Sequence, residues 1–384
     1  MSNALLFITS LLIYLAPSIL IRSSISINNY FMRIRQLIII LSFFLVACGK
    51  GSSNTQVTPP VVIQNADSTF LNPLLPGGPD PWVIQQDSLY YYTQTLGDHL
   101  AIYATHKMSQ LSKATITSIW TPPTSGTYSK DIWAPELHRF QGKWYMYFAA
   151  DDGINDNHRI YVLENDATDP LSANWVFKGK INDATADFWA IDASVFAFNN
   201  QLYIIWSGWQ GITNLEQDIY IAKLSDPLTM QGHRILISSP NQSWEKAGAP
   251  PAVNEGPEAL INPAGQLFLT FSASGCWTDN YCLGLLTLKL GGDPMDPVAW
   301  SKSANPVFSS QLNSGAFAPG HNGFFVSLDG KQNWIIYHAN SFSGQGCGNS
   351  RNPRMQSFNW NADGSPNFGI PVKINAPIQK PSGE

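Results

Sequence analysis

One short aromatic and apolar stretch recurs five times along the chain, and a polar motif precedes each copy. The stretches are residues 89–92, 144–148, 202–206, 267–271 and 334–337, whose first residues lie 55, 58, 65 and 67 positions apart. The preceding motifs are Pro79-Asp80-Pro81, Ala134-Pro135-Glu136, Ile191-Asp192-Ala193, Glu255-Gly256-Pro257 and Gly320-His321-Asn322. A unit repeated at such a period predicts an array of similar structural units, each bringing one polar residue to an equivalent place.

The intervening sequence favours strands over helices. Apolar residues alternate or cluster briefly, and Gly, Pro, Asn and Asp interrupt them every 8 to 15 residues or so, as in all-β proteins. The long repeat favours a propeller among the all-β architectures, and each unit can be divided into four strands. The sequence therefore predicts a five-bladed β-propeller as a single domain over residues 69–384, with the blades filling residues 76–375.

The polar motifs stand at the start of the first predicted strand of each blade. In a propeller the innermost strands line a central channel. If the first strand is innermost, the five motif residues converge at one mouth of that channel. These residues are Asp80, Glu136, Asp192, Glu255 and His321.

Composition narrows the choice of ligand. The 384 residues include 13 Trp, and only 13% are charged, against roughly 25% in an average protein. The net charge is −5 and there is no basic cluster, so nucleic acid is not an expected partner. Abundant aromatic residues with few charges suit a neutral ligand that stacks on aromatic rings, such as a sugar. The protein itself is expected to be a monomer.

Several carboxylates in one confined site raise the pKa of at least one of them. Such a pair suits glycoside hydrolysis, which needs one ionised and one protonated carboxyl group. Asp80 is held between two prolines, which suits a rigid base that activates water. Glu255 has small neighbours and a longer side chain, which suits the general acid. Asp192 is predicted to act electrostatically, keeping Glu255 protonated and oriented.

The fourth carboxylate of the set, Glu136, is predicted to have a structural role, hydrogen-bonding the neighbouring backbone. Trp133, three residues earlier, is a candidate sugar-stacking surface, since aromatic faces pack against the apolar side of a sugar ring.

Taken in order, the motifs Asp80-Pro81, Trp133-Ala134-Pro135-Glu136, Ile191-Asp192-Ala193-Ser194-Val195-Phe196, Glu255-Gly256-Pro257 and Gly320-His321-Asn322 resemble those of glycoside hydrolase family 43 over residues 72–375. The resemblance implies a five-bladed propeller that hydrolyses arabinose- or xylose-containing glycans with inversion. It implies Asp80 as base, Asp192 as pKa modulator and Glu255 as acid. It also places His321 beside a structural calcium or sodium ion in the channel, or, alternatively, in a metal-free hydrogen-bonded position. No cofactor is expected for the chemistry.

Further substrate contacts follow from the same resemblance. Arg354 matches a late arginine that reaches the terminal sugar, with Arg351 as the competing choice. Trp209, in the stretch 206–209, is a second aromatic candidate, and His321 is also predicted to contact the substrate. Five stretches resemble members of the family that act as exo-α-L-arabinofuranosidases on arabinan or arabinoxylan. They are residues 133–138, 206–209, 254–259, 281–286 and 320–322. The alternatives are an endo-1,5-α-L-arabinanase, a β-xylosidase, and a non-catalytic glycan-binding surface lipoprotein.

The residues before the propeller are predicted to be targeting sequence. A basic segment at residues 32–36 precedes the apolar run 37–47 and then Cys48. The run is short for a transmembrane anchor, the alternative interpretation, and suits a signal peptide. We therefore expect a lipoprotein signal at 32–47, lipidation of Cys48, a tether at 48–68, and an extension at 1–31 that precedes the true start. The predicted location is the periplasm or surface of a bacterial cell.

Three further cysteines follow in the predicted propeller. An exported location permits disulfides. Cys276 and Cys282 flank a short segment, which predicts a local bridge, and the odd count leaves Cys347 free or exchanged into the pairing.

Overall fold

The computed structural model describes residues 66–384, which form an almost purely β structure. Six short 3-10 helices occur in this range: Ala66–Ser68, Met108–Lys113, Asn155–Asn157, Ser243–Glu245, Pro297–Ala299 and Leu312–Ser314. No helix in residues 66–384 combines the length and hydropathy required to cross a membrane. The predicted extension, signal peptide, Cys48 and nearly all of the predicted tether lie outside the described residues.

Strand β1 (Thr69–Phe70) is followed by five blades of four antiparallel strands each, and a short parallel pairing of residues 216–217 with residues 252–253 joins blades 3 and 4 into one eight-stranded sheet. Blade 1 contains β2 (Trp82–Gln86), β3 (Leu89–Thr93), β4 (Leu100–Thr105) and β5 (Thr115–Trp120). Blade 2 contains β6 (Lys130–Phe140), β7 (Lys143–Asp151), β8 (Arg159–Asn165) and β9 (Val176–Lys180). Blade 3 contains β10 (Ala190–Phe198), β11 (Gln201–Gly208), β12 (Glu216–Asp226) and β13 (Thr229–Ser238). Blade 4 contains β14 (Ala252–Ile261), β15 (Leu267–Ala273), β16 (Cys282–Leu288) and β17 (Trp300–Lys302). Blade 5 contains β18 (Phe317–Val326), β19 (Asn333–Asn340), β20 (Asn352–Trp360) and β21 (Pro366–Asn367), and β22 (Ile378–Gln379) follows.

The first strand of each blade is the innermost. Strands β2, β6, β10, β14 and β18 contact one another in cyclic order, and the contact between β18 and β2 completes the ring. Strand β1 pairs with β22, so the two ends of the described chain meet in one small sheet. The predicted five-bladed propeller is confirmed.

The recurring aromatic stretch forms the second strand of every blade and fills the spaces between blades. Strand side chains alternate between the two faces of a sheet. In blade 1, Tyr90 and Tyr92 pack in a core shared with blade 5, whereas Tyr91 packs in a core shared with blade 2. Corresponding cores lie between the other neighbouring blades. Each aromatic strand therefore contributes to two blade interfaces.

The inner strands bend at the channel mouth. In blades 2 to 5 the pairing of the first two strands shifts register at this point. Each shift contains a residue with positive φ, and Asp80 occupies the matching place just before β2. The five residues and their φ angles are Asp80 (56°), Ala134 (44°), Asp192 (58°), Gly256 (52°) and His321 (43°). Four of these five residues are not glycine, and left-handed backbone at non-glycine residues is strained and concentrated at functional sites.

Candidate active site

A cavity of about 350 Å³ opens at this mouth of the channel. Four of the five converging residues predicted from the sequence line it, namely Asp80, Asp192, Glu255 and His321. The position of each residue relative to the bend in its strand explains which of the five line the cavity. Asp80, Asp192 and His321 occupy the positive-φ position itself, Glu255 directly precedes it, and Glu136 follows it by two residues.

Asp80 is surrounded by groups that favour its ionised form. Thr95 Oγ1 donates a hydrogen bond to its Oδ2 at 2.7 Å, and Arg351 Nη1 donates to its Oδ1 at 3.1 Å. Burial alone would raise the pKa of Asp80, but Arg351, the imidazoles of His321 and His338, and Thr95 together lower it well below the usual range. Asp80 is therefore ionised at neutral pH, as a base that activates water must be.

Glu255 has the opposite electrostatic setting. Removal from bulk water raises its pKa and the negative charge of Asp80 adds to this rise, whereas a hydrogen bond from Tyr281 Oη to Oε1 at 2.7 Å and the charge of Arg351 oppose it. Together these effects raise the pKa of Glu255 to about 7. A substantial fraction of Glu255 is therefore protonated near neutral pH. Asp80 and Glu255 thus have well-separated pKa values within one cavity, the arrangement that distinguishes a base from an acid.

Asp192 lies beside Glu255. Burial raises the pKa of Asp192 well above its usual range, and the charges of Glu255 and Asp80 raise it further. The backbone N–H of Gly256, next to Glu255, donates a hydrogen bond to Asp192 Oδ2 at 2.9 Å and favours the charged form. Asp192 therefore contacts the backbone next to Glu255, and the charge of Glu255 opposes its ionisation, whereas the charge that raises the pKa of Glu255 is that of Asp80. The predicted role of Asp192, keeping Glu255 protonated, stays a prediction.

His321 lies between the two aspartates, with Nδ1 at 3.3 Å from Asp80 Oδ1 and 4.0 Å from Asp192 Oδ2. Burial lowers its pKa. Across residues 66–384 no group of three or more His, Cys, Asp or Glu side chains is placed to hold a metal ion. Calcium takes six to eight oxygen ligands, which this imidazole does not supply. The predicted metal contact of His321 stays a prediction, and no step below depends on it.

The two tryptophan candidates have different outcomes. Trp133 lines the cavity, with its indole stacked on the His158 imidazole at 4.1 Å between ring centroids. Trp209 does not line it. Its side chain is only 1% exposed and stacks on Trp189 at 4.9 Å. The prediction that Trp209 binds substrate is wrong, because this ring is part of a buried aromatic cluster behind the wall that contains Ile191.

The structure favours the second of the two arginine candidates, Arg351, over Arg354. Arg354, the preferred choice from the sequence, is 0% exposed and donates hydrogen bonds to Asn352 Oδ1 and to the carbonyl oxygens of Gly315 and Asn340. It therefore stabilises blade 5 from within and does not reach the cavity. Arg351 precedes β20, lines the cavity and contacts Asp80.

Glu136 lies outside the cavity lining. Its Oε2 is 2.8 Å from His138 Nε2, and it is hydrogen-bonded to Glu258, which also accepts a bond from Ser194 Oγ at 3.2 Å. Burial, with the charge of Glu136, raises the pKa of Glu258 well above its usual range. The predicted structural role of Glu136 is consistent with these contacts, although its partners are side chains where backbone partners were expected.

The disulfide pairing also differs from the expected one. Cys276 bonds to Cys347, and Cys282 is buried with a free thiol. The predicted Cys276–Cys282 bridge is therefore wrong. Cys282 begins β16 and points into blade 4, whereas Cys276 and Cys347 lie on loops of adjacent blades and both line the cavity.

Three contributors to the site were not predicted: Thr95, Tyr281 and His338. The Thr95 hydroxyl links blades 1 and 2, because it accepts a bond from the Ala134 N–H at 2.7 Å while donating to Asp80. His338 Nδ1 accepts a bond from the Asp80 N–H at 3.1 Å. A histidine directly after an aromatic strand stretch was the available sequence signal for His338, but its partner lies 258 positions away.

Fold and site together define a class, the five-bladed propellers with two carboxyl groups of oppositely shifted pKa at the channel mouth. Residues 70–366 match the sequence model of the family described as "Glycosyl hydrolases family 43". The chain belongs to this family.

Named relatives support the same assignment. The chain is 40% identical over 313 residues to "Extracellular exo-alpha-(1->5)-L-arabinofuranosidase" of Streptomyces avermitilis, and 38% identical over 314 residues to "Alpha-L-arabinofuranosidase 43" of Humicola insolens. Each match covers 79% of this chain and 64% of the relative, so the chain spans slightly less than two thirds of their length. The crystal structure of an α-L-arabinofuranosidase from Lactobacillus brevis is 35% identical, with a TM-score of 0.74, and the match covers 80% of this chain and 98% of that one.

Proposed function

We propose that this protein is an inverting glycosidase that removes terminal α-L-arabinofuranosyl residues from arabinan or arabinoxylan. The observation that carries the proposal is the pair Asp80 and Glu255, two carboxyl groups in one cavity whose environments move their pKa values in opposite directions. The names of the similar proteins from Streptomyces avermitilis, Humicola insolens and Lactobacillus brevis support arabinose as the sugar removed.

In the proposed reaction, an Asp80 carboxylate oxygen takes a proton from a water molecule as that water attacks the anomeric carbon. Arg351 and Thr95 keep this carboxylate ionised and fixed in position. Glu255 gives its proton to the oxygen of the leaving group, and Tyr281 holds the carboxyl group in place. Inversion requires the two carboxyl groups to be about 6.5–9.5 Å apart, so that the water fits between Asp80 and the sugar.

A chain-end substrate is favoured by the size of the cavity. At about 350 Å³ it lies near the lower limit of typical small-molecule sites, which suits a terminal sugar better than a long segment of polymer. Trp133 forms part of its wall and is placed to pack against this sugar. An endo-acting arabinanase and a β-xylosidase stay open as alternatives on the same chemistry.

A purely glycan-binding protein is the alternative from another class. Binding a neutral sugar does not require one ionised and one protonated carboxyl group, and burying like charges without a function is costly. The protonation states of Asp80 and Glu255 therefore favour catalysis.

Identification of products tests the proposal. The protein from residue 57 onward is incubated with linear, branched and debranched arabinan, and with aryl arabinofuranoside and aryl xyloside. Monomeric arabinose is the expected product, a ladder of oligomers would indicate endo action, and xylose release would indicate the xylosidase. Glu255→Gln should abolish hydrolysis of arabinan while retaining arabinan binding. Full activity of that variant would refute the acid role.

We also propose export as a lipoprotein anchored through Cys48. This rests on the basic, apolar and cysteine-containing order of residues 32–48, and agrees with the word "extracellular" in the name of the Streptomyces avermitilis relative. Cys48→Ser should move the protein from the membrane fraction to the soluble fraction of the producing cell. Unchanged membrane association would contradict the lipid anchor.

A further inference from the structure

Two loops on the mouth face are tied together beside the cavity. The first, residues 274–281, joins β15 to β16, and the second, residues 341–351, joins β19 to β20. Besides the Cys276–Cys347 disulfide, Asp279 of the first loop accepts hydrogen bonds from the Ser343 hydroxyl and, at 2.9 Å, from the Gly344 N–H. We call these two loops the lip.

The lip touches both reacting carboxyl groups. Its first loop ends at Tyr281, which donates a hydrogen bond to Glu255, and its second loop ends at Arg351, which donates to Asp80. The disulfide itself lines the cavity. The lip therefore borders the place where Glu255 must meet the leaving-group oxygen.

An indole is held on this lip directly after Cys276. Trp277 is 44% exposed, although its ring is packed closely against two glycines. A Cβ on Gly248 would lie 2.5 Å from the ring nitrogen, and a Cβ on Gly275 would lie 2.3 Å from a ring carbon. Only glycine allows this approach, so one part of the indole is fixed against backbone while another part faces solvent. Phe342 of the second loop, 69% exposed, adds further apolar surface to the lip.

We propose that the lip is the subsite for the leaving group, and that Trp277 is the surface on which the first sugar beyond the cleaved bond packs. The proposal rests on the proposed glycosidase function and adds which residues recognise the second sugar. A general acid protonates the leaving-group oxygen, so the leaving sugar must lie on the Glu255 side of the cavity, where the Trp277 loop begins and ends. The ligand is a neutral saccharide, because an aromatic surface packs against the apolar face of a sugar and carries no charge to attract an ionic one.

The test compares two substrates that differ only in the leaving group. α-1,5-Arabinotriose occupies the proposed subsite, whereas α-L-arabinofuranosyl fluoride has a leaving group too small to contact it. Trp277→Leu retains apolar bulk without a planar ring, and Trp277→Phe retains a ring. For Trp277→Leu we expect kcat/KM on arabinotriose to fall about tenfold relative to kcat/KM on the fluoride, and Trp277→Phe should recover most of the loss.

Val298→Ala is the matched control, since Val298 is an exposed apolar residue of blade 4 at the opposite end of that blade. It should leave the ratio of the two kcat/KM values unchanged. An equal loss on both substrates in Trp277→Leu, or no loss on either, would overturn the subsite while leaving the proposed function intact. A wild-type protein that hydrolyses neither substrate would overturn the proposed function, and the subsite with it.

Discussion

Removing the hydroxyl of Tyr281 should extend the activity to higher pH. Tyr281 Oη donates to Glu255 Oε1 at 2.7 Å and lowers the pKa of that carboxyl group against the effect of burial. Burial and the nearby Glu255 charge raise the pKa of Tyr281 itself well above its usual range, so the phenol remains a donor. In Tyr281→Phe the ionised form of Glu255 loses this bond, and the acid therefore keeps its proton to higher pH.

The magnitude follows from the energies of hydrogen bonds. A bond to a charged group contributes about 1.5–3 kcal/mol, and a bond to a neutral group contributes about 0.5–1.5 kcal/mol. The difference, about 1–1.5 kcal/mol, corresponds to roughly one pKa unit. The alkaline limb of activity, set near pH 7 by Glu255, should therefore move to about pH 8.

The assay is the pH dependence of kcat/KM on an arabino-oligosaccharide, because kcat/KM reports the ionisations of the free enzyme. Phenylalanine preserves the ring that stacks on His338 with an interplanar angle of 8°. Tyr337→Phe is the matched control, since this buried phenol bonds Gln356 Oε1 at 3.2 Å and does not line the cavity. An alkaline limb that stays in place or moves to lower pH in Tyr281→Phe would refute the assignment of Glu255 as the acid.

Two further predictions separate site from scaffold. Arg351→Met should raise the pKa of Asp80 and move the acidic limb of kcat/KM to higher pH, with little change in Tm. Arg354→Met should lower Tm by at least about 5 °C, because it leaves three acceptors without a donor, two of them on the buried residues Asn340 and Asn352. Thermal melting and pH profiles of the two variants check this, and the reverse pattern would contradict it. Replacing Cys276 and Cys347 by serine should lower the free energy of unfolding by about 2–4 kcal/mol, measured in urea, because the bond links positions 71 apart. Stability equal to that of the wild-type protein under non-reducing conditions would contradict a contribution of the disulfide.

The propeller could be predicted because its evidence is local and repeated. Each aromatic stretch is a strand whose two faces are buried between blades, so Tyr90, Tyr91 and Tyr92 form a continuous apolar run that is visible without a partner. The same repetition placed Asp80 and Asp192 at equivalent bends.

The remaining features depend on contacts between distant segments. Arg351 lies directly before β20, and Arg354 is the third residue of that strand. The point at which the strand begins therefore decides which of the two arginines faces the cavity. Trp209 is buried because Trp189 happens to stack on it. Cys276 bonds to Cys347 because two loops of neighbouring blades lie next to each other. The cysteine spacing within either loop does not predict this pairing.

The positions of Glu136 and Glu255 show the limit of the repeat itself. Equivalent motif residues differ by up to three positions in where they stand relative to the bend of their strand. This difference changes the level in the channel that each side chain reaches. Glu255 therefore lines the cavity, whereas Glu136 pairs with His138 and Glu258 away from the cavity lining. Sequence motifs identified both as polar channel residues but could not separate these levels.

If Asp80 activates water while Glu255 protonates the leaving group, the reaction is a single displacement. Proton NMR of the arabinose first released from an α-linked arabinofuranoside tests this most directly, recorded before the product equilibrates. We expect β-L-arabinofuranose as the initial product. Initial release of the α-anomer would show retention and would contradict the role of Asp80 as base.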